Sequence, residues 1–295
     1  VSSQPLTPEQ IELCEKLKAE VAPTVNQHAH LKVFCNGHTY VRYLRARSWN
    51  LHKATKMLNE TLKWRLEYKP HLIRWDEVKG EAKTGKHYIY HVKDKFDRPI
   101  VIMRPRLEDT KNYDAQIRFL IYDLEQASRI ADQTGVGKMC WLLDFGGYTM
   151  SNAPPLKVSV HCNHILQNHY PERLGLAVCY HAPTLFSITW KATSPFIDPV
   201  TKEKIKFVDK GNKEKERAMM EERFHMEEME ECVGGRVPGL IYDIAKYEVS
   251  CRQYDVDCQV ELDAMEASMK AESTKMNGNA VAEDASKTVT IEASG

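Results

Sequence analysis

The sequence has no surplus of charge of either sign: Lys plus Arg number 41 and Asp plus Glu number 41 in 295 residues. A chain whose main partner is nucleic acid carries a net basic face, so the balance argues against that class. A local basic patch is still compatible with brief contact with a membrane surface. Long hydrophobic runs are missing as well, and nothing approaches the roughly 20 apolar residues of a membrane span. The eight cysteines include no CxxC pair. A chain this long does not depend on disulfides, and reduced thiols in a cytosolic protein are expected. The first residues, Val1-Ser2-Ser3-Gln4-Pro5, have neither signal-peptide character nor an initiating Met, which points to a fragment or a processed form. No internal repeat is visible.

The usual signatures of catalysis are also lacking. There is no GxSxG elbow, no GxGxxG after a strand, and no cysteine with the neighbours of a nucleophile. Asp144-Phe145-Gly146 spells a kinase metal-binding tripeptide, but the glycine-rich loop and HRD sequence that a kinase needs upstream are missing. His161, Cys162, His164 and His169 include a pair one helical turn apart. Without a second ligand pair of matching spacing, no metal is expected there. These absences predict a protein that is not an enzyme and uses no cofactor.

What is present is ordinary for a globular chain: 42% of residues are hydrophobic. Thr7-Pro8-Glu9-Gln10 carries an N-cap, a first-turn proline and a capping-box Gln. Asn50 can cap a helix whose apolar residues fall at Leu51, Ala54, Leu58 and Leu62, ending near Tyr68-Lys69-Pro70. Residues 7–81 therefore read as a small helical domain.

From residue 82 the pattern changes to an α/β alternation that we expect to reach about residue 250. Tyr88–Val92 and Pro99–Met103 form a predicted hairpin. A helix follows through Ile117, Leu120, Ile121 and Leu124, then the continuous apolar run Cys140–Leu143 of a strand covered on both faces. A helix over Leu156–Asn168, strands at Leu176–Tyr180 and Ile205–Val208, and a helix from Pro183 complete a mainly parallel sheet. A charged helix is expected from Lys213 to Cys232, stopped by Gly234-Gly235. Residues 260–295 are poor in large apolar side chains and are expected to be disordered.

One segment is chemically unusual. Glu172 follows Pro171 just before a buried-type strand, and Pro183–Trp190 is a mostly apolar helix broken by Ser194-Pro195-Phe196-Ile197-Asp198-Pro199. An apolar helix between proline breaks can act as a hinged lid. Pattern alone leaves an ordinary core helix as an equal reading.

Several stretches, taken in order, resemble the CRAL-TRIO lipid-binding family, in particular the cytosolic-factor-type phosphatidylinositol transfer proteins. They are Tyr43-Leu44-Arg45-Ala46-Arg47, Asp97-Arg98-Pro99, Leu143-Asp144 with its glycines, Tyr170-Pro171-Glu172-Arg173, and Pro195-Phe196-Ile197-Asp198-Pro199-Val200-Thr201. The resemblance implies an α/β fold in which a helical bundle packs on a mainly parallel sheet. That sheet and its helices enclose an apolar lipid cavity gated by a helix. It implies headgroup roles for Arg47, Glu172, Thr201 and Lys204. A carboxylate can accept from inositol hydroxyls, and the cations can pair with a phosphodiester. A local Glu172–Arg173 ion pair and a solvated Lys204 are the competing readings. Cavity or gate positions are Tyr90, Val101, Met139, Trp141, Leu185, Phe186, Trp190 and Phe196.

Members that exchange phosphatidylcholine carry hydroxyl residues where Met139 and Trp141 stand, and Val101 replaces a tyrosine. The expected cargo is therefore phosphatidylinositol together with a less polar second lipid such as a sterol. Ser48 stands where many members have lysine. The expected partners are these lipids and, transiently, a membrane surface reached from the cytoplasm. Two other functions stay open: a sensor presenting lipid to a lipid kinase through the acidic stretch Glu221–Glu231, and a carrier of a terpenoid, retinoid or tocopherol.

Overall fold

The computed structural model describes residues 5–292 except Leu185 and Asp209, with side chains described up to residue 274 apart from Met150, Ser187 and Thr189. Helices α1 (Pro8–Val25), α2 (Ala29–Phe34), α3 (Gly37–Arg45) and α4 (Leu51–Tyr68) form the helical domain. The capping box closes as its residue types require: Gln10 N donates to Thr7 Oγ1 at 3.3 Å, and Thr7 N donates to Gln10 Oε1 at 3.1 Å. Asn50 caps α4 through the amide of Lys53 at 2.9 Å. That helix stops at Tyr68, where Lys69 turns left-handed (φ 56°) ahead of Pro70. Leu17, Leu31, Tyr43, Leu44, Leu58 and Leu62 fill a core of its own.

Helix α5 (Trp75–Ala82) sends Trp75, Val78 and Ala82 into the other core, so packing divides the chain before α5. Strands β1 (His87–Lys93) and β2 (Pro99–Met103) form the antiparallel hairpin. Next come α6 (Tyr113–Gln133), β3 (Met139–Asp144), α7 (Leu156–His169), β4 (Leu174–Tyr180), α8 (Phe186–Thr193), α9 (Pro199–Glu203) and β5 (Ile205–Val208). The sheet order is β1-β2-β3-β4-β5, parallel from β2 onward. Strands added one after another through right-handed crossovers put every crossover helix on the same face. Leu124 of α6, Leu166 of α7, Phe186 of α8 and Val200 of α9 accordingly all line one cavity.

A bulge sets the register beneath that cavity. Met139 pairs with Leu174 but Cys140 pairs with Leu176, leaving Gly175 as the extra residue of β4. A Cβ there would lie 2.9 Å from Arg98 Cδ and 3.2 Å from Lys138 Cβ, so a larger residue would have to push the Arg98 side chain aside.

The opposite face is closed by α10 (Lys213–Arg223) and the chain to Val233, with Met220, Phe224, Met229 and Val233 in the core. The charged helix expected to reach Cys232 ends at Arg223. The reason is that Phe224 turns fully inward and Glu230, also fully buried, pairs with Arg104. The acidic stretch Glu221–Glu231 is thus partly interior.

Helix α11 (Ile244–Glu292) continues through the region that composition assigns to disorder. Its early turns have partners that composition cannot show. Asp255 accepts from Trp75 N at 2.8 Å and Tyr122 Oη at 3.0 Å, while Tyr247 Oη donates to Asp123 at 2.8 Å. Further along, Glu261 pairs with Arg129, and Glu272 lies 3.2 Å from Lys32 of the helical domain. One helix therefore touches both domains.

Candidate functional site

A cavity of about 590 Å³ lies between the β3–β5 face and helices α7–α9, a size usual for a ligand pocket. Its floor alternates as strands dictate: Met139, Trp141 and Leu143 face it, while Cys140 and Leu142 are fully buried on the other side. Phe186, Trp190 and Phe196 line it from α8 and the turn after it. Leu185 lies outside the described residues. Val101 stands level with Trp141 in the ladder but is sealed off from the cavity, fully buried. Tyr90 does not reach the cavity at all. Ile89 is paired with Val101, so Tyr90 points to the opposite face, where its hydroxyl donates to Glu228 O at 3.1 Å.

The four headgroup candidates, Arg47, Glu172, Thr201 and Lys204, all line this cavity. Tyr170-Pro171-Glu172-Arg173 forms a turn in which Arg173 N donates to Tyr170 O at 3.4 Å. Pro171 stands second and Glu172 third with φ 60°, the type II pattern that normally selects glycine at the third place. A left-handed glutamate costs about 1–2 kcal/mol, and such strain gathers at functional sites. Neighbouring contacts hold it. Arg173 binds Asp132 through two bonds of 2.5 and 2.7 Å, so it is not Glu172's partner. Burial would raise the Asp132 carboxyl, but Arg173 outweighs it and holds it below its ordinary value.

Glu172 Oε2 instead lies 3.6 Å from Lys138 Nζ and 3.8 Å from Lys204 Nζ. Lys138 was not anticipated. It precedes β3, and only the β3–β4 register brings it beside the turn. Burial lowers its proton affinity, Glu172 raises it and Lys204 lowers it again, with a net fall. The corner therefore holds more positive charge than one carboxylate neutralises. Arg45, also unanticipated, lines the same end beside Arg47 and Ser48. Arg47 spends one donor on Ala46 O at 2.9 Å. Thr201 sits in the first turn of α9, where Asp198 caps its amide at 2.8 Å, and Lys204 ends that helix.

The α8 segment and the turn after it are held by polar and aromatic contacts. Phe196 O accepts from Asn163 Nδ2 at 2.6 Å and from Gln167 Nε2 at 2.5 Å. Trp190 meets Phe207 edge-on at 5.4 Å, and Phe186 lies 4.4 Å from Phe145. On α8, the turn after it, α9 and β5, Ile188, Phe196, Val200 and Phe207 are all exposed, by 39–59%. An apolar patch of this kind marks an interaction surface.

Two histidines of α7 have contacts within the protein. His169 Nδ1 lies 3.0 Å from Thr61 Oγ1 and its ring stacks on Trp64 at 4.3 Å. His164 contacts Asn168 at 3.0 Å.

Comparison with known proteins shows the family and the fold. Residues 83–235 match the family CRAL/TRIO domain and residues 13–60 match the CRAL/TRIO, N-terminal domain. A CRAL-TRIO domain-containing protein of Schizosaccharomyces pombe is 36% identical over 57% of this chain and 16% of its own length. The phosphatidylinositol transfer protein PDR17 of Saccharomyces cerevisiae is 34% identical over 60% of this chain and 53% of its own. A SEC14 cytosolic factor of Candida glabrata is 31% identical over 57% of this chain and 61% of its own. The match thus spans 16% to 61% of the length of these three relatives. The crystal structure of Sfh5 superposes with a TM-score of 0.61 at 16% identity, covering 83% of this chain and 92% of that one. Among the described residues, no helix is long and apolar enough to cross a membrane.

Proposed function

Because this chain belongs to the CRAL/TRIO domain family, we propose that it is a non-enzymatic lipid carrier that encloses phosphatidylinositol and exchanges it at membranes for a less polar lipid, such as a sterol. The observation that carries this reading is the pairing of an apolar cavity with one charged end. Glu172 lies between Lys138 and Lys204, with Arg47 and Thr201 on the same rim. The carboxylate suits inositol hydroxyls and the cations suit a phosphodiester. Relatives whose names include phosphatidylinositol transfer support the same cargo. The convergence of Glu172 with Lys204 weighs against a purely apolar cargo such as a terpenoid, retinoid or tocopherol. The floor of Met139 and Trp141 offers a phosphocholine no hydroxyl, which favours a sterol as counter-cargo.

Energetics dictate where exchange happens. Two acyl chains bring about thirty methylenes, each gaining about 0.8 kcal/mol on burial. Release into water would forfeit that gain, whereas a bilayer returns it. The exposed apolar rim of Ile188, Phe196, Val200 and Phe207 is placed to meet such a bilayer while the lid swings. No cofactor enters this cycle. The test is native mass spectrometry of the purified protein with lipid extraction, followed by transfer of labelled phosphatidylinositol between vesicles. Purified protein that carries no phospholipid and transfers none would refute the proposal.

A further inference from the structure

A second cavity, of about 360 Å³, lies between the helical domain and α6, with α11 as its outer wall. Its chemistry is unlike that of the first. Four guanidiniums line it, from Arg42, Arg65, Arg129 and Arg173, against three carboxylates, from Glu125, Asp132 and Glu261. Each carboxylate is engaged. Arg65 holds Glu125 through bonds of 2.9 and 2.7 Å, Arg173 holds Asp132, and Arg129 pairs with Glu261.

Arg42 is the guanidinium left over. It is 7% exposed and donates only to neutral oxygens, Pro171 O at 3.2 Å and Thr39 Oγ1 at 3.0 Å. Its Nε has no hydrogen-bond partner among the described residues. The same holds for Arg65 Nε, Arg129 Nε, Ser128 Oγ, His30 Nε2 and His71 Nδ1, all buried and all on residues lining this cavity. Buried polar atoms are normally paired, and a cluster of exceptions around one space requires an explanation. Burial, with the Arg173 guanidinium nearby, pushes Arg42 down to about 9.

We propose that this cavity binds a small water-soluble anion bearing a phosphate group, with Arg42 as its charged anchor. The lining side chains come from α2, α3, α4, α6 and the turn after α4, so the cavity is bounded by polar groups from several directions. A tetrahedral group with several acceptor oxygens answers that arrangement, where a planar carboxylate engages one side. The charged lining offers no channel for acyl tails. The site also backs onto the headgroup end of the lipid cavity, since Arg42 donates to the carbonyl of Pro171, directly before Glu172.

The test titrates inorganic phosphate into the full chain, following phosphorus NMR line width and unfolding temperature, with chloride at matched ionic strength as control. Saturable binding and a thermal shift that chloride does not reproduce are expected. Arg42→Lys should weaken binding about tenfold, as loss of a charge-assisted contact does. Arg129→Gln should weaken it several-fold, and because Arg129 is partly exposed it keeps the test valid if Arg42→Lys fails to fold. Lys204→Ala should leave phosphate binding unchanged. The proposal is overturned if phosphate does not saturate at tens of millimolar. It is also overturned if soluble glycerophosphoinositol displaces phosphate and Lys204→Ala abolishes binding, since the anion then sits in the lipid cavity.

Discussion

Glu172 Oε2 stands 3.8 Å from Lys204 Nζ, close enough for attraction but too far for a hydrogen bond. A ligand hydroxyl or phosphate oxygen can enter such a pair without first breaking a bond. The double variant Glu172→Ala, Lys204→Ala should lose phosphatidylinositol transfer by about 10- to 100-fold, as removal of charged hydrogen-bond partners does. Transfer of the counter-lipid should persist. Vesicle assays with each labelled lipid check this, and equal loss of both would remove the headgroup assignment.

The left-handed backbone at Glu172 gives a variant in which stability and function should separate. Glu172→Gly relieves the strain but adds freedom to the unfolded chain, for a net gain of about 0.5–1 kcal/mol. Phosphatidylinositol transfer should fall all the same. Urea unfolding with an unchanged m-value measures the first effect, and transfer measures the second.

Asn163 and Gln167 both donate to Phe196 O, where the lid ends. Replacing both by Ala should make lipid exchange several-fold faster and lower the stability of the loaded protein by about 1–2 kcal/mol. Stopped-flow exchange of a fluorescent lipid is the readout, and an unchanged rate would show that these bonds do not restrain the lid.

The exposed rim should matter for docking and not for holding cargo. Ile188→Asp with Phe196→Asp should reduce vesicle co-sedimentation and transfer rate, leaving the amount of lipid extracted from the purified protein unchanged. Loss of bound lipid in this variant would instead make the rim part of the cavity seal.

Acid should weaken the fold through three histidines. Burial, aided by nearby cationic groups, lowers His30 to about 4, His71 to about 3 and His169 to about 4. Above pH 6.5 both folded and unfolded chains hold these rings neutral, and they contribute nothing. As pH falls below 6.5 the unfolded chain takes up protons that the folded chain refuses, so stability declines until about pH 4. Urea midpoints between pH 7 and 5 should fall, and His30→Gln with His71→Gln should flatten that fall.

Much of this structure was legible from residue patterns. The capping box at Thr7, the stop before Pro70, the hairpin and the parallel strands all follow from local chemistry. The pairing of Glu172 with Lys204 came from resemblance, since the two meet only through the β4–β5 ladder and α9. What stayed hidden depended on register or on distant packing. Tyr90 and Val101 lie on neighbouring strands, yet antiparallel pairing through Ile89 sends their side chains to opposite faces. Lys138 reaches Glu172 only because a bulge at Gly175 shifts the ladder. The order of α11 after Val260 rests on Arg129 and Lys32, both far away in sequence.

Helix α11 also has a practical meaning for anyone handling this chain. It works as a splint, fixed to Trp75 and Tyr122 at one end and to Lys32 farther along. A proteolytic nick near Gly239 that released it would bare those aromatic anchors and loosen the hold of one domain on the other. The segment that sequence matching leaves out, beyond residue 235, is thus part of what keeps the molecule in one piece.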